Sequence, residues 1–333
     1  MKPFFEDRSL LVTGGTGSFG RALVKFLLLT SGIRRLVVYS RDELKQSDMA
    51  QEMEPLNQGR LRFFLGDVRD FDRLEMALSG VDYVVHAAAL KQIPAAEYNP
   101  MECIRTNVMG AENLVRASIR CGVRRVIALS TDKAVNPINL YGASKLAADK
   151  VFVAANFLAG ARETRFSVVR YGNVIGSRGS VVPFFRKLQR ERADTLPITD
   201  PRMTRFWITL EAGVAFTVSS LRTMVGGETF VPILPSMKIT DVARCLAPSI
   251  PQQIIGIRPG EKLHEILISG DDARFCFRVG DRYMVIPHWL LTEVKELWPD
   301  AVSVSSDFAY TSDLNDQWLS LDQFQELVLQ SDY

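Results

Sequence analysis

SLLVTGGTGSFGRALVKFLL, residues 9 to 28, reads as an apolar strand, a tight glycine turn and a helix, and its reading decides the fold. Gly14, Gly17 and Gly20 recur every third residue. The first permits the turn, the second lets backbone approach a pyrophosphate at the helix N-terminus, and the third lets helix pack on strand. Glycines also mark ordinary turns, so it is the placement between a first strand and a helix that makes this a dinucleotide-binding pattern. Gly14, Thr16, Gly17, Ser18, Phe19 and Gly20 are the cofactor candidates of this turn.

Outward from the turn the same alternation repeats. RRLVVYS (34–40), LRFFLGDV (61–68), YVVHAAALK (83–91) and RRVIALS (124–130) are apolar runs of buried-strand type, and RFSVVRY (165–171) begins a sixth. Repeated strand-helix units imply a Rossmann-type α/β fold, a doubly wound parallel sheet with helices on both faces and ligands outside the C-terminal strand ends. The second strand ends in Ser40, Arg41, Asp42, Glu43, Leu44 and Lys45, where an adenosine ribose lies in such a fold. Ser40, Arg41 and Lys45 can hold a 2'-phosphate, which favours NADP over NAD; Asp42 and Glu43 weigh against this and also suit an ordinary helix start. Asp67, next to Val68, is placed to accept from an adenine amino group, and the small residues at Ala87 let a cofactor lie close to backbone. Lys91 follows that strand tip and can reach phosphate or sugar, or simply be solvated. Residues 97–122 read as one long helical stretch, with Asn107 needing hydrogen-bond partners that the backbone of the 124–130 strand can supply.

LSTDKAVNPINLYGASK (129–145) gathers the reactive groups. Thr131, Asp132 and Lys133 follow the strand, Asn136-Pro137 is a break, and the stretch from Leu140 onward is helical in composition. Tyr141 and Lys145, four apart, therefore share a helix face, and an ammonium beside a phenol is expected to lower the phenol pKa. Taken singly, Tyr141 also suits packing, Lys145 solvation, and Asp132 with Lys133 a surface ion pair. Together at a strand tip above a dinucleotide fold they read as a site.

From residue 173 glycines and serines replace the expected helix. Asn173, Ser177, Arg178, Arg205 and Arg258, with Glu261, are candidates to grip an anionic substrate, the plainer alternative for Asn173 being a structural turn. KITDVARCLAP (238–248) reads as a capped helix, and IIGIRPGEKLHEILIS (254–269) as strand, turn and helix. The tail beyond Gly270 carries no chemical signature. Residues 1–172 with about 206–232 are expected to form the cofactor domain, and 173–205 with about 233–333 the substrate domain.

Forty basic against 38 acidic residues give a formal charge of +2, so no global field argues for nucleic acid or an anionic membrane. The apolar stretches are too short to span a bilayer and the early glycine turn leaves no room for a signal peptide, which predicts a soluble, cytoplasmic protein. Four scattered cysteines and three histidines show no metal spacing, so no metal is expected.

The glycine motif at 14–20 and Tyr141-x-x-x-Lys145 resemble the extended short-chain dehydrogenase/reductase superfamily that acts on nucleotide sugars. More narrowly, LVTGGTGSFG, GDVRD, ALSTDKAVNPINLYGASK, DPRMTRFWI and GIRPGEKLHE resemble the inverting UDP-N-acetylglucosamine 4,6-dehydratases of pseudaminic acid formation. Retaining 4,6-dehydratases carry Asp-Glu where this chain has Asp132-Lys133, and 4-epimerases lack such a pair. The resemblance implies UDP-N-acetylglucosamine as substrate, a homohexamer, and a division of labour. Tyr141 takes the C4 hydroxyl proton as hydride passes to NADP, with Thr131 orienting that hydroxyl. Lys133, its proton loosened by burial and nearby positive charge, removes the C5 proton, and Asp132 protonates the departing C6 hydroxyl. Hydride return to C6 and reprotonation of C5 from the opposite face give UDP-2-acetamido-2,6-dideoxy-β-L-arabino-hexos-4-ulose. A 4-epimerase, a retaining dehydratase and a non-catalytic NADP-sensing module are the alternatives.

Overall fold

The computed structural model describes residues 2–177 and 179–331. Arg178, one of the anion-binding candidates, lies outside the described residues.

Strands β1 (Ser9–Thr13), β2 (Arg35–Ser40), β3 (Leu61–Leu65), β4 (Tyr83–His86), β5 (Arg125–Thr131) and β6 (Arg165–Tyr171) run parallel in the order β3-β2-β1-β4-β5-β6. Thr229–Pro232 continues the sheet parallel to β6. Arg282–Val285, Cys276–Val279 and Val302–Ser303 then extend it antiparallel, so part of the tail returns to the central sheet. The strand order reverses between β1 and β4, the switch point at which a doubly wound sheet opens a ligand crevice.

Burial on both faces explains the near-continuous apolar strands. Leu10 and Val12 point to one face and Leu11 to the other, as the two-residue period of a strand requires. On the first face they meet Leu23, Val24, Leu27 and Leu28 of the Ser18–Thr30 helix and Leu221 of the Leu210–Thr223 helix. On the second, Leu114 of the Gly110–Arg120 helix and Phe152 of the Leu140–Ala159 helix cover the sheet. A separate core holds Ile175, Phe185, Trp207, Val242 and Phe324, in which the Trp207 and Phe324 rings meet edge to face at 5.1 Å. Among the described residues no helix is long and apolar enough to cross a membrane.

Three expectations need correction. Residues 97–122 are helical as expected, without interruption over Pro100–Arg120, but not regularly so: Pro100–Ile104 leads into a π turn at Arg105–Met109 and then the Gly110–Arg120 helix. The wider turn carries Asn107, whose amide accepts from Leu90 N (2.8 Å) and donates to Leu90 O (3.0 Å) and Ser144 Oγ (2.9 Å). Its partners thus lie beyond β4 and on the Tyr141 helix, not on β5. The expected helix after Glu261 is instead a strand, Ile266–Ile268, because Tyr310–Thr311 of the distant tail supplies an antiparallel partner that overrides local preference. Finally, the Ile239–Leu246 helix forms, but its first turn receives no side-chain cap among the described residues.

The glycine turn is where packing is tightest. A Cβ at Gly20 would overlap the Gly15 backbone, and one at Gly14, whose φ is +65°, would stand 2.8 Å from Ala88 N. Backbone cannot yield as a side-chain tip can. Gly20→Ala is expected to lower stability by about 1–3 kcal/mol, the usual range for overpacking, and to weaken dinucleotide binding. Thermal melting with and without an added nicotinamide dinucleotide checks both effects.

Candidate active site

Outside the C-terminal ends of the parallel strands lies a cavity of about 1290 Å³. The cofactor candidates Gly14, Thr16, Gly17, Ser18, Phe19, Gly20, Ser40, Arg41, Asp42, Lys45, Asp67, Val68, Ala87 and Lys91 all line it. So do Thr131, Lys133, Tyr141, Lys145, Asn173, Ser177, Arg205, Arg258 and Glu261. Glu43 and Leu44 do not: they begin the Glu43–Asn57 helix, and Leu44 is 72% exposed. Asp132 also does not line the cavity, being fully buried behind it.

At the cofactor end, among the described residues no side chain caps the Ser18–Thr30 helix, whose N-cap is Gly17. Its first N–H groups and dipole are thus directed at the cavity floor, a cradle for phosphate oxygens that any Cβ would begin to fill. Asp42 turns away from the β2 tip to cap the next helix, accepting from Lys45 N at 3.0 Å and pairing with the Lys45 ammonium. That bonding with Lys45 holds its carboxyl below the usual range. Ser40 is fixed by Gln46, whose amide donates to Ser40 O (2.9 Å) and Oγ (3.1 Å). Asp67 is held by Arg69 at 2.7 Å and approached by Arg41 at 3.5 Å.

The reactive cluster is built where β5 ends. Asp132–Ala134 forms a single 3-10 turn, Asn136 takes the left-handed conformation (φ 45°), and Asn139 caps the Leu140–Ala159 helix by accepting from Gly142 N at 2.8 Å. A Cβ at Gly142 would overlap the Lys133 carbonyl oxygen, so only glycine lets the helix carrying Tyr141 lie against the Asp132–Lys133 turn. Lys133 Nζ then donates to Asp132 Oδ1 at 2.9 Å and stands 3.4 Å from Glu265 Oε1, and Thr131 Oγ1 donates to the same Asp132 oxygen at 2.8 Å. Arg205 Nε approaches Glu265 Oε1 at 3.5 Å.

These distances set the proton affinities. Burial and the neighbouring Glu265 raise the Asp132 pKa, with Lys133 opposing. Burial works against the Lys133 charge, yet Asp132 and Glu265 outweigh it and hold its proton more tightly than in a free lysine. Burial alone would raise Glu265 too, but Lys133 and Arg205 bring it below its usual value. The expected loosening of the Lys133 proton is therefore corrected, because its nearest neighbours are carboxylates.

The Tyr141 expectation is corrected as well. Burial pushes its phenol up to about 12, and it is the Lys133 charge, not Lys145, that chiefly opposes the rise. Lys145 sits on the same buried helix face but donates to Leu129 O at 2.6 Å. Burial lowers its pKa, opposed by Asp149. Asp149 in turn accepts from Ser130 Oγ at 2.7 Å and faces Arg170 at 3.6 Å. Glu265, Asp149, Arg170 and Gly142 were not apparent as site residues from the sequence; of these only Gly142, an isolated glycine in a helical pattern, carries a local signal. Among the described residues no cluster of three or more His, Cys, Asp or Glu side chains could hold a metal ion.

Comparison with known proteins agrees with this architecture. The sequence model of a family described as "Polysaccharide biosynthesis protein" matches residues 10–287. A UDP-N-acetylglucosamine 4,6-dehydratase (inverting) from Campylobacter jejuni subsp. jejuni serotype O:23/36 (strain 81-176) is 52% identical over 97% of this chain and 98% of its own. A UDP-glucose 4-epimerase from Rickettsia canadensis (strain McKiel) is 39% identical over 99% of this chain and 97% of its own. The X-ray structure of Pen from Bacillus thuringiensis superposes with a TM-score of 0.89 at 33% identity, covering 98% of each chain.

Removing the central cation should expose its electrostatic role. Lys133→Ala leaves Asp132 and Glu265 facing each other, at an expected cost of about 2 kcal/mol, below the roughly 3–5 kcal/mol of a fully buried pair because Lys133 is partly exposed. The Asp132 folded pKa, already raised, would rise further. A carboxyl of this kind takes up its proton in the folded state first, so stability recovers as pH falls through the folded pKa. The melting-temperature deficit against the parent is expected to be largest near neutrality and to shrink toward pH ~4, the ordinary carboxylate range.

Proposed function

The chain belongs to the polysaccharide biosynthesis protein family, and from that premise we propose that it is an inverting, NADP-dependent UDP-N-acetylglucosamine 4,6-dehydratase. The observation that carries the reading is the 2.9 Å pairing of Lys133 with the fully buried Asp132, at the edge of the cavity that Tyr141 lines. Oxidation and reduction at one carbon need only a tyrosine and a hydride carrier. A second acid/base pair is what an elimination requires.

A dinucleotide suits the glycine cradle and the uncapped helix start. When bound, a nicotinamide cofactor supplies a hydride acceptor at C4, a hydride donor at C6 and, in oxidised form, a positive charge near the phenol. Tyr141, ionised where the positive charges of Lys133 and of the oxidised cofactor would offset its burial, takes the C4 hydroxyl proton, with Thr131 holding that hydroxyl. The C4 ketone acidifies the C5 proton. Lys133 passes its own proton along the hydrogen bond to Asp132, which makes the amine a base and the carboxyl an acid together. The amine removes the C5 proton, the C5–C6 double bond forms, and the C6 hydroxyl leaves as water with the Asp132 proton. With the hydride that the cofactor would supply at C6, C5 takes a proton from solvent on the opposite face while Tyr141 releases its proton to solvent, to give the L-arabino ketosugar, a precursor for pseudaminic acid. Atoms balance at the loss of one water, without net oxidation.

Ser40, held by Gln46, and Arg41 and Lys45 on the cavity wall support NADP, since Asp42 is engaged as a helix cap. Arg258 lines the remainder of the cavity and suits a diphosphate, with Asn173 and Ser177 nearby, whereas Arg205, also on the cavity wall, is committed to Glu265 and to the Thr204, Leu263 and Lys262 carbonyls. A homohexamer in the cytoplasm completes the proposal.

The 4-epimerase reading has specific support in the 39% identical Rickettsia protein. Incubation with UDP-N-acetylglucosamine separates the two: a product lighter by one water supports the dehydratase, and an unchanged mass sinks it. Lys133→Ala is expected to reduce bound cofactor on substrate addition, seen as nicotinamide absorbance, while releasing no dehydrated product. Arg41→Ala should weaken NADP by about tenfold, the scale of a charge-assisted hydrogen bond, and leave NAD nearly unchanged, as a binding titration with each cofactor would show.

A further inference from the structure

Glu265 is placed with more care than a chance neighbour would need. Its N–H donates to Ser312 Oγ at 2.9 Å, and its carbonyl oxygen accepts from Ser312 N at 2.9 Å. Ser312 is itself tied to Thr204, next to Arg205, and the following strand Ile266–Ile268 pairs with Tyr310–Thr311. The backbone is thereby pinned on both sides. From this fixed point the side chain, 2% exposed, puts Oε1 between Lys133 Nζ (3.4 Å) and Arg205 Nε (3.5 Å). Its Oε2 is buried and has no hydrogen-bond partner among the described residues, and the residue lines the cavity.

Resting on the dehydratase reading, we propose that Glu265 is the positioning residue of Lys133: it aims the amine and stabilises the ammonium that forms as the C5 proton is taken. The arrangement is a base oriented by a third group, the same logic by which a buried carboxylate serves a catalytic base elsewhere. Asp132 cannot fill this role, since in the same step it loses its proton to the C6 oxygen. Glu265 keeps its charge throughout, held by Arg205. Hydride removal at C4 proceeds before Lys133 acts, so Glu265 matters to the second half of the reaction and little to the first.

The ionisable groups facing Lys133 are Asp132, Glu265, Arg205, Lys262, Lys91 and Tyr141. Of these, Asp132 and Glu265 hold the proton on Lys133, so loss of the Glu265 charge shifts Lys133 titration to lower pH.

The test uses the full-length protein with UDP-N-acetylglucosamine and the isosteric variant Glu265→Gln. Elimination, read as deuterium entering C5 from heavy water and as loss of water, is expected to slow by at least roughly tenfold, while cofactor reduction in a single turnover keeps its parental rate. The pH limb of elimination that reports Lys133 should move to lower pH. Glu265→Asp, which keeps the charge and withdraws it, should restore the limb and part of the rate. A parental elimination rate and pH limb in Glu265→Gln would overturn the proposal, as would equal loss of cofactor reduction and elimination in both variants. Misfolding of Glu265→Gln in thermal melts leaves Glu265→Asp to decide: elimination slowed selectively supports the role, and uniform slowing refutes it. A parent enzyme that releases no dehydrated product fails at an earlier point and overturns the reaction class.

Discussion

The Lys133 ammonium, shared by two buried carboxylates from distant parts of the chain, is the interaction on which the site depends. Asp132 arrives on the turn after β5 and Glu265 on the loop before the Ile266–Ile268 strand, so the cation joins the central sheet to the region across the cavity. Such a cluster is costly to desolvate and is stabilising only while every charge has its counterpart. Arg205 supplies the second cation that makes two carboxylates tolerable. Asp132 Oδ2 and Glu265 Oε2 nevertheless lack hydrogen-bond partners among the described residues. Incomplete satisfaction of this kind weakens a structural rationale for the cluster and fits a chemical one.

A second buried network runs beside the first and reaches the same segment. Lys145 donates to Leu129 O, Asp149 accepts from Ser130 and faces Arg170, and Arg170 donates to Leu267 O at 3.0 Å. Two charged networks thus link β5, the Tyr141 helix and β6 to residues 265–267. The dry surroundings that strengthen these contacts also raise the Tyr141 phenol and lower Lys145. Proton affinity here follows burial before it follows nearest charge, which is why adjacency on a helix misjudged the tyrosine.

Legibility in the sequence followed the range of the interactions. The parallel sheet, the glycine turn and the helix carrying Tyr141 and Lys145 were readable because strand runs, turns and helix faces are local patterns. The same local reading missed the π turn around Asn107, whose amide is satisfied by Leu90 and Ser144 far along the chain. It also took residues after Glu261 for a helix, since the partner strand comes from the tail. Glu43 and Leu44 were grouped with Ser40 and Arg41 by adjacency, yet the turn into the helix carries them off the cavity wall.

The sequence by itself determined the doubly wound sheet, the cavity at its strand ends and the identities of Thr131, Asp132, Lys133, Tyr141 and Lys145 as neighbours, because spacing along one strand, one turn and one helix places them together. Only the tertiary structure decided the company those residues keep. Glu265 reaches Lys133 from the loop before the Ile266–Ile268 strand, and Arg205 reaches Glu265 from the Thr204–Ile208 strand, both placed by the tail strand Tyr310–Thr311 and Ser312. Electrostatic environment is a property of what closes over a group in space, and in this chain the closing residues lie far away in sequence from the groups they tune.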